Sequence, residues 1–296
     1  MRQNNPKAGI QRCGHGKPVC TPKGEWYIPY LCGRQIDGKY SMLGRETALD
    51  KITWTADGWP IVNHLEGPST LALKPDLPDH PFVLSDTDNG NFAKGLSHAW
   101  SWVRVPETDS YKIVDTSLLL RAGRAPLSTM YSRNILVRPQ EAFCFTITAS
   151  LRLDSEVLKH NGGEAGITCY YDENTYLTFH VVNKSNHLYL KVSEHIDTTT
   201  TDAACIDLGL SASSAKGSIK LKVDTHYLKR DFSYSIEENC FTPVCSLEHV
   251  YYLCDEGLKK GKRFTGAMHG MYAYLPKEMM PDENTPVYAC FESYLS

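Results

Sequence analysis

The sequence predicts an all-β chain, with many short antiparallel strands in two sheets packed face to face and a smaller all-β piece in front of them. Three observations carry that prediction. Hydrophobic residues alternate with period two in run after run, turn clusters separate the runs, and no 3.6-residue period is sustained anywhere in the chain.

The amino-terminal piece reads as strand-turn units: "GKPVCTP", "EWYIPYLC" and "ITWTADGWPIVN", the last around the tight-turn dipeptide Asp57-Gly58. A piece this short and rich in strands does not build an independent core, so it is expected to be part of something larger. Trp26, Trp54 and Trp59 are expected as core anchors. Next comes "HLEGPSTLALKPDLPDHP", with four prolines and no strand-length alternation. Proline fixes φ and denies a sheet its donor, so this stretch is expected to be an extended connector. The division is 1–65, a linker at 66–84, and 85–296.

Beyond the linker the alternation is clearest in "FCFTITASLRL", where Phe143, Phe145, Ile147, Ala149, Leu151 and Leu153 share one face. "YLTFHVV", "HLYLKVS", "SIKLKVD" and "FSYSI" repeat it, and each reads as a half-buried strand. Asn183-Lys184-Ser185-Asn186 and Glu237-Glu238-Asn239 read as turns. Helix content is expected to be low.

At 296 residues with a formal net charge of -3, the chain has no basic field to hold a phosphate backbone. It has no apolar run long enough for a membrane helix and no apolar signal segment at its start. The expectation is a cytoplasmic protein with neither a nucleic-acid nor a membrane partner. The ten cysteines include no C-x-x-C pair, so most are expected to be reduced, small apolar fillers such as Cys144 and Cys169 within strand runs. Cys13-Gly14-His15 supplies at most half of a metal-site spacing.

The opening tract, "CGHGKPVCTPKGEWYIPYLCGR" and then "MLGRETALDKITWTADGWPIVN", resembles the last blade of the five-bladed β-propeller of glycoside hydrolase family 43, the β-xylosidases and arabinofuranosidases. "GRET" with "W-x-x-DGWP" is its most specific part. "SRNILVRPQEAFCFTITASL", "GGEAGITCYYDENTY", "CDEG", "RFTGAMHGMYA" and "VYACFESY" resemble the concanavalin A-like sandwich that follows the propeller in the β-xylosidase branch. The fold implied is a partial β-propeller of about one blade, then a concanavalin A-like jelly roll.

The resemblance also implies roles. Arg45 matches the arginine that hydrogen-bonds the innermost sugar beside the catalytic carboxylates, as a planar fork of donors would. Pairing with Glu46 is the ordinary alternative. His15 matches the histidine at the bottom of the funnel, where relatives hold a calcium or water, and a merely hydrogen-bonded histidine is the alternative. Phe264 and Met268 of "RFTGAMHG" match a sandwich loop that leans over the sugar, although relatives commonly carry an aromatic where this chain has Met268. The implied ligand is a xylo- or arabino-oligosaccharide.

Inverting hydrolysis needs a general acid and a general base, and in the family both come from earlier blades. A blade takes about 40–45 residues, so the residues before the linker hold one. No catalytic residue carries over, and Glu25, Glu46, Asp255 and Glu256 read as solvated turn acids. Three functions remain open: the carboxy-terminal part of a family 43 glycosidase completed by a companion chain or a second copy, a carbohydrate-binding sandwich module, and a non-functional remnant.

Overall fold

The computed structural model describes residues 8–72, 74–80, 90–236, 240–258, 265–282 and 285–296. The turn at Glu237-Glu238-Asn239 lies outside the described residues, as do 73 and 81–84 of the connector. The chain forms two compact units, Met1–Ser85 with Cys254–Gly266, and Asp86–Leu253 with Ala267–Ser296.

The first unit is one antiparallel sheet. Its strands are β1 (Ile10–Gly14), β2 (Val19–Cys20), β3 (Trp26–Arg34), β4 (Glu46–Trp54) and β5 (Pro60–Val62). They run in the order β1-β3-β4-β5, with β2 also pairing β3. Pro29 sits inside β3 without breaking it. Its carbonyl accepts from Lys17 N–H at 3.2 Å, and the N–H it lacks would point to that same side, where β3 changes partner from β2 to β1. Ile10, Ile28, Tyr30, Cys32 and Ile52 form the core of this sheet, with Trp26 packed against them.

Two of the three tryptophans depart from the expected anchoring. Trp54 meets Trp26 edge-on at 5.3 Å yet remains 43% exposed, and Trp59 is 70% exposed. The cause is the tight turn, which Gly58 (φ 84°) and the Thr55 N–H to Trp59 carbonyl bond at 2.9 Å close, leaving both rings at its solvent end.

The second unit is a sandwich of two seven-stranded sheets. Its strands are β6 (Ser101–Trp102), β7 (Tyr111–Val114), β8 (Ser117–Arg121), β9 (Leu136–Pro139), β10 (Cys144–Arg152), β11 (Glu164–Asp172), β12 (Thr175–Lys184), β13 (His187–Ile196), β14 (Thr199–Ser211), β15 (Ser218–His226), β16 (Lys229–Ser235), β17 (Thr242–Leu247), β18 (Met268–Tyr274) and β19 (Tyr288–Leu295). One sheet runs β17-β16-β15-β10-β19-β8-β7 and the other β14-β13-β12-β11-β18-β9-β6. Among the described residues the one α-helix is Glu156–Lys159. Ile147, Ala149 and Leu151 of β10 face the core as the alternation predicts, and Phe179 and Phe232 meet edge-on at 5.4 Å. The turn between β12 and β13 is the expected one, with Ser185 and Asn186 both at positive φ, which matches the twist of a hairpin.

β12 is not half-buried. Every residue from Thr175 to Asn183 is buried. One face meets the sandwich core, and the other, carrying Tyr176, Thr178 and His180, is covered. Tyr170, Tyr176 and Tyr272 of this outer face pack with Leu127, Ile135 and Val137, so the aromatic side of the sheet is closed to solvent. Among the described residues none of the ten cysteines forms a disulfide. Cys169 is a buried filler, but Cys144 is exposed on the outer side of β10, with its sulfur 2.9 Å from His226 Nδ1.

Candidate functional site

The connection between β3 and β4 is built from backbone that only certain residues accept. Gly44 has φ 69°, and a Cβ there would lie 2.2 Å from the Gly266 nitrogen; a Cβ on Gly266 would lie 2.5 Å from the Leu43 carbonyl carbon. The two glycines are therefore required by one another, because their backbones touch. This contact sets the Gly44-Arg45 turn against Thr265-Gly266.

A charged cluster lies beside it. Arg12, at the positive φ of 57°, directs its guanidinium at Asp255 (Nη1 to Oδ2, 3.4 Å) and at Glu256. The Ser41 N–H donates to the second oxygen of Glu256 at 3.0 Å. Asp255 is 3% exposed. Arg12, Ser41, Gly44, Arg45, Asp255 and Thr265 line a cleft too small for a water molecule.

The turn-acid reading is corrected by these contacts. Asp255, buried, and Glu256, half-buried, are partners of one guanidinium. Glu25 is bound by Lys51 Nζ at 2.7 Å, which draws its carboxyl below the usual range. Glu46 takes a forked pair of bonds from Arg34 (Nε to Oε2 2.9 Å, Nη2 to Oε1 2.6 Å). That fork shows Arg34 in the place where Arg45 was the ordinary candidate. Each of these four acids is held by a cation, whereas the buried Asp50 accepts from Tyr30 OH at 2.6 Å and from the Ser69 N–H at 3.2 Å.

Arg45 is half-buried in the cleft wall next to Asp255. His15 is exposed, at φ 52°. The residues do not fit a calcium site: calcium takes oxygen ligands, which an imidazole does not offer, and among the described residues no three of His, Cys, Asp or Glu gather as a metal would need. Met268 begins β18 and packs against the Tyr170–Tyr272 cluster of the sandwich. Phe264 lies outside the described residues. Sequence reasoning missed Arg12, whose one visible signal was a charge inside a short strand next to Cys13-Gly14-His15.

The comparisons agree with this architecture. Residues 90–294 match the model of the beta xylosidase C-terminal concanavalin A-like domain, and residues 1–60 match that of glycosyl hydrolases family 43. The GH43 protein BlXynB from Bacillus licheniformis superimposes with a TM-score of 0.86 at 32% identity, covering 99% of this chain and 55% of that one. A xylan beta-1,4-xylosidase from Bacillus halodurans gives 0.83 at 27%, covering 98% and 54%. Among curated proteins, a non-reducing end alpha-L-arabinofuranosidase of Bacteroides ovatus is 25% identical over 91% of this chain and 49% of its own length, and a xylosidase/arabinosidase of Humicola insolens is 26% identical over 92% and 51%. The chain thus spans about half the length of the curated relatives it matches. With both of its units matched, the chain belongs to glycoside hydrolase family 43, carrying propeller sequence and the β-xylosidase type of concanavalin A-like sandwich.

Proposed function

We propose that these residues form the carboxy-terminal part of a glycosidase acting on the xylosides or arabinosides of hemicellulose, and that they do not hydrolyse such bonds alone. The observation that carries the reading is the state of the acids. Asp255 and Glu256 share Arg12, Glu46 is forked by Arg34, and Glu25 is held by Lys51. A general acid and a general base must face each other across a sugar, and acids committed to cations in this way do not.

In this reading the blade supplies position rather than proton transfer. Arg45, on the turn that Gly44 and Gly266 fix, donates hydrogen bonds to the sugar once the remaining blades surround it, and His15 lies toward the same funnel. The covering of Tyr170, Tyr176 and Tyr272 by Leu127 and its neighbours argues against that aromatic face as a sugar platform. A companion chain, or a longer form of this one, provides the acid and base.

The test is a chimera in which residues 1–296 replace the matching half of the Bacillus licheniformis protein. It should hydrolyse an aryl β-xyloside or an aryl α-arabinofuranoside, and Arg45→Ala should lower its kcat/KM about 100-fold or more, an effect of roughly 3 kcal/mol on the transition state. A folded, active chimera indifferent to Arg45→Ala would remove the sugar-binding role.

A further inference from the structure

We propose that the outer face of the sandwich at its β15–β16–β17 edge is a binding groove for a neutral saccharide. The inference stands on the sandwich alone, so its failure and that of the propeller reading are separate results. The groove encloses about 430 Å³, within the range of about 300–1,000 Å³ typical of ligand sites.

Its origin is in the backbone. β17 pairs with β16 through Phe232 opposite Cys245 and then Ser233 opposite Pro243, so Val244 is an extra residue in the edge strand. Such a bulge bends its strand and re-aims the side chains beside it. Pro243 withholds a ladder donor at the same place. Phe241, just before β17, forms the apolar wall, and Lys222 Nζ lies 5.0 Å from the centre of its ring.

The floor is polar, and both of its carboxylates are paired. Asp224 of β15 and Asp231 of β16 stand directly opposite each other in the register, where two carboxylates repel. Each is paired with a lysine, Lys222 at 2.9 Å and Lys229 at 3.2 Å, the second shared with Glu248 at 3.3 Å, and each also accepts a hydroxyl, from Thr146 at 2.6 Å and from Ser246. A groove whose carboxylates are already paired has less to attract a lone cation. It offers donors and acceptors in alternation beside a ring, the combination that suits the hydroxyls and C–H face of a sugar. One group is unsatisfied: Ser233, only 9% exposed, lines the groove, and among the described residues its buried Oγ has no hydrogen-bond partner. Buried hydroxyls are rarely left that way, and a turn of the Ser233 side chain toward the groove would bring its hydroxyl to a ligand.

The full chain is titrated with xylotriose and, separately, with cellotriose, followed by calorimetry and by the amide resonances of Ser233 and Ser246. The expected result is saturable binding of at least one sugar with a Kd on the order of 1 mM. Phe241→Ala should weaken it tenfold or more and Ser233→Ala severalfold. Thermal unfolding of each variant separates lost binding from lost folding, and Ser233→Ala removes only one oxygen. Absence of saturable binding by both sugars, or binding that Phe241→Ala and Ser233→Ala leave intact, would overturn the proposal.

Discussion

The amino-terminal sheet and the sandwich are both antiparallel, yet different forces hold them. In the sheet, five buried side chains make the core, and polar clamps do much of the rest: Arg12 on Asp255 and Glu256, Arg34 on Glu46, and Asp50, which accepts from Tyr30 OH at 2.6 Å and from the Ser69 N–H at 3.2 Å. In the sandwich, rows of Ile, Val, Leu and Phe are wholly buried between two sheets, each worth about 1.5–3 kcal/mol. A sheet that depends on charge pairs should respond to loss of one guanidinium, while a sandwich should respond to loss of volume.

The largest effect is expected in the sandwich. Phe179→Ala removes a fully buried ring that meets Phe232 and should cost about 3–5 kcal/mol, read as a fall in the urea midpoint. Next is Arg12→Ala, which takes one guanidinium away from both the buried Asp255 and the half-buried Glu256 and should cost the first unit about 3 kcal/mol. Amide exchange should then rise in β3 and β4 while β12 and β13 keep their protection, and proteolysis should begin within residues 8–80. Equal loosening of both units would erase the contrast.

A smaller effect sharpens the comparison, because the sandwich contains its own ionisable pair. Burial pushes the Glu164 carboxyl up to about 7 and the His180 imidazole down to about 3, with the two 3.5 Å apart. For His180 the folded state binds fewer protons than the unfolded chain, so its contribution is complete above the ordinary value of 6.5 and is lost as pH falls toward 3. For Glu164 the sign is opposite. The folded state holds the proton, so stability is complete below 4.5 and declines as pH rises through 7. About a quarter of the Glu164 side chain reaches solvent, which moderates the effect. Glu164→Gln should therefore match the parent near pH 4.5 and exceed it by about 1–2 kcal/mol near pH 8, measured by urea unfolding at both values.

Some of this was legible in the sequence for a physical reason. Alternation in β10 and β15 reports a single buried face, and Gly44 and Asp57-Gly58 announce backbone that few residues can take. What escaped notice depends on distant partners. Asp255 and Glu256 look like turn acids until Arg12, 243 positions away, is placed against Asp255. β12 looks half-buried because its cover, around Leu127 and Ile135, is irregular and has no period to read. The groove beside Phe241 depends on one extra residue in β17, which composition does not mark.

The central claim is that the acid and base of catalysis are not among these residues. Its most direct test is the release of p-nitrophenol from an aryl β-xyloside by the purified 296-residue chain. The account predicts the rate of buffer alone. Turnover that persists through purification and disappears with Arg45→Ala would contradict it.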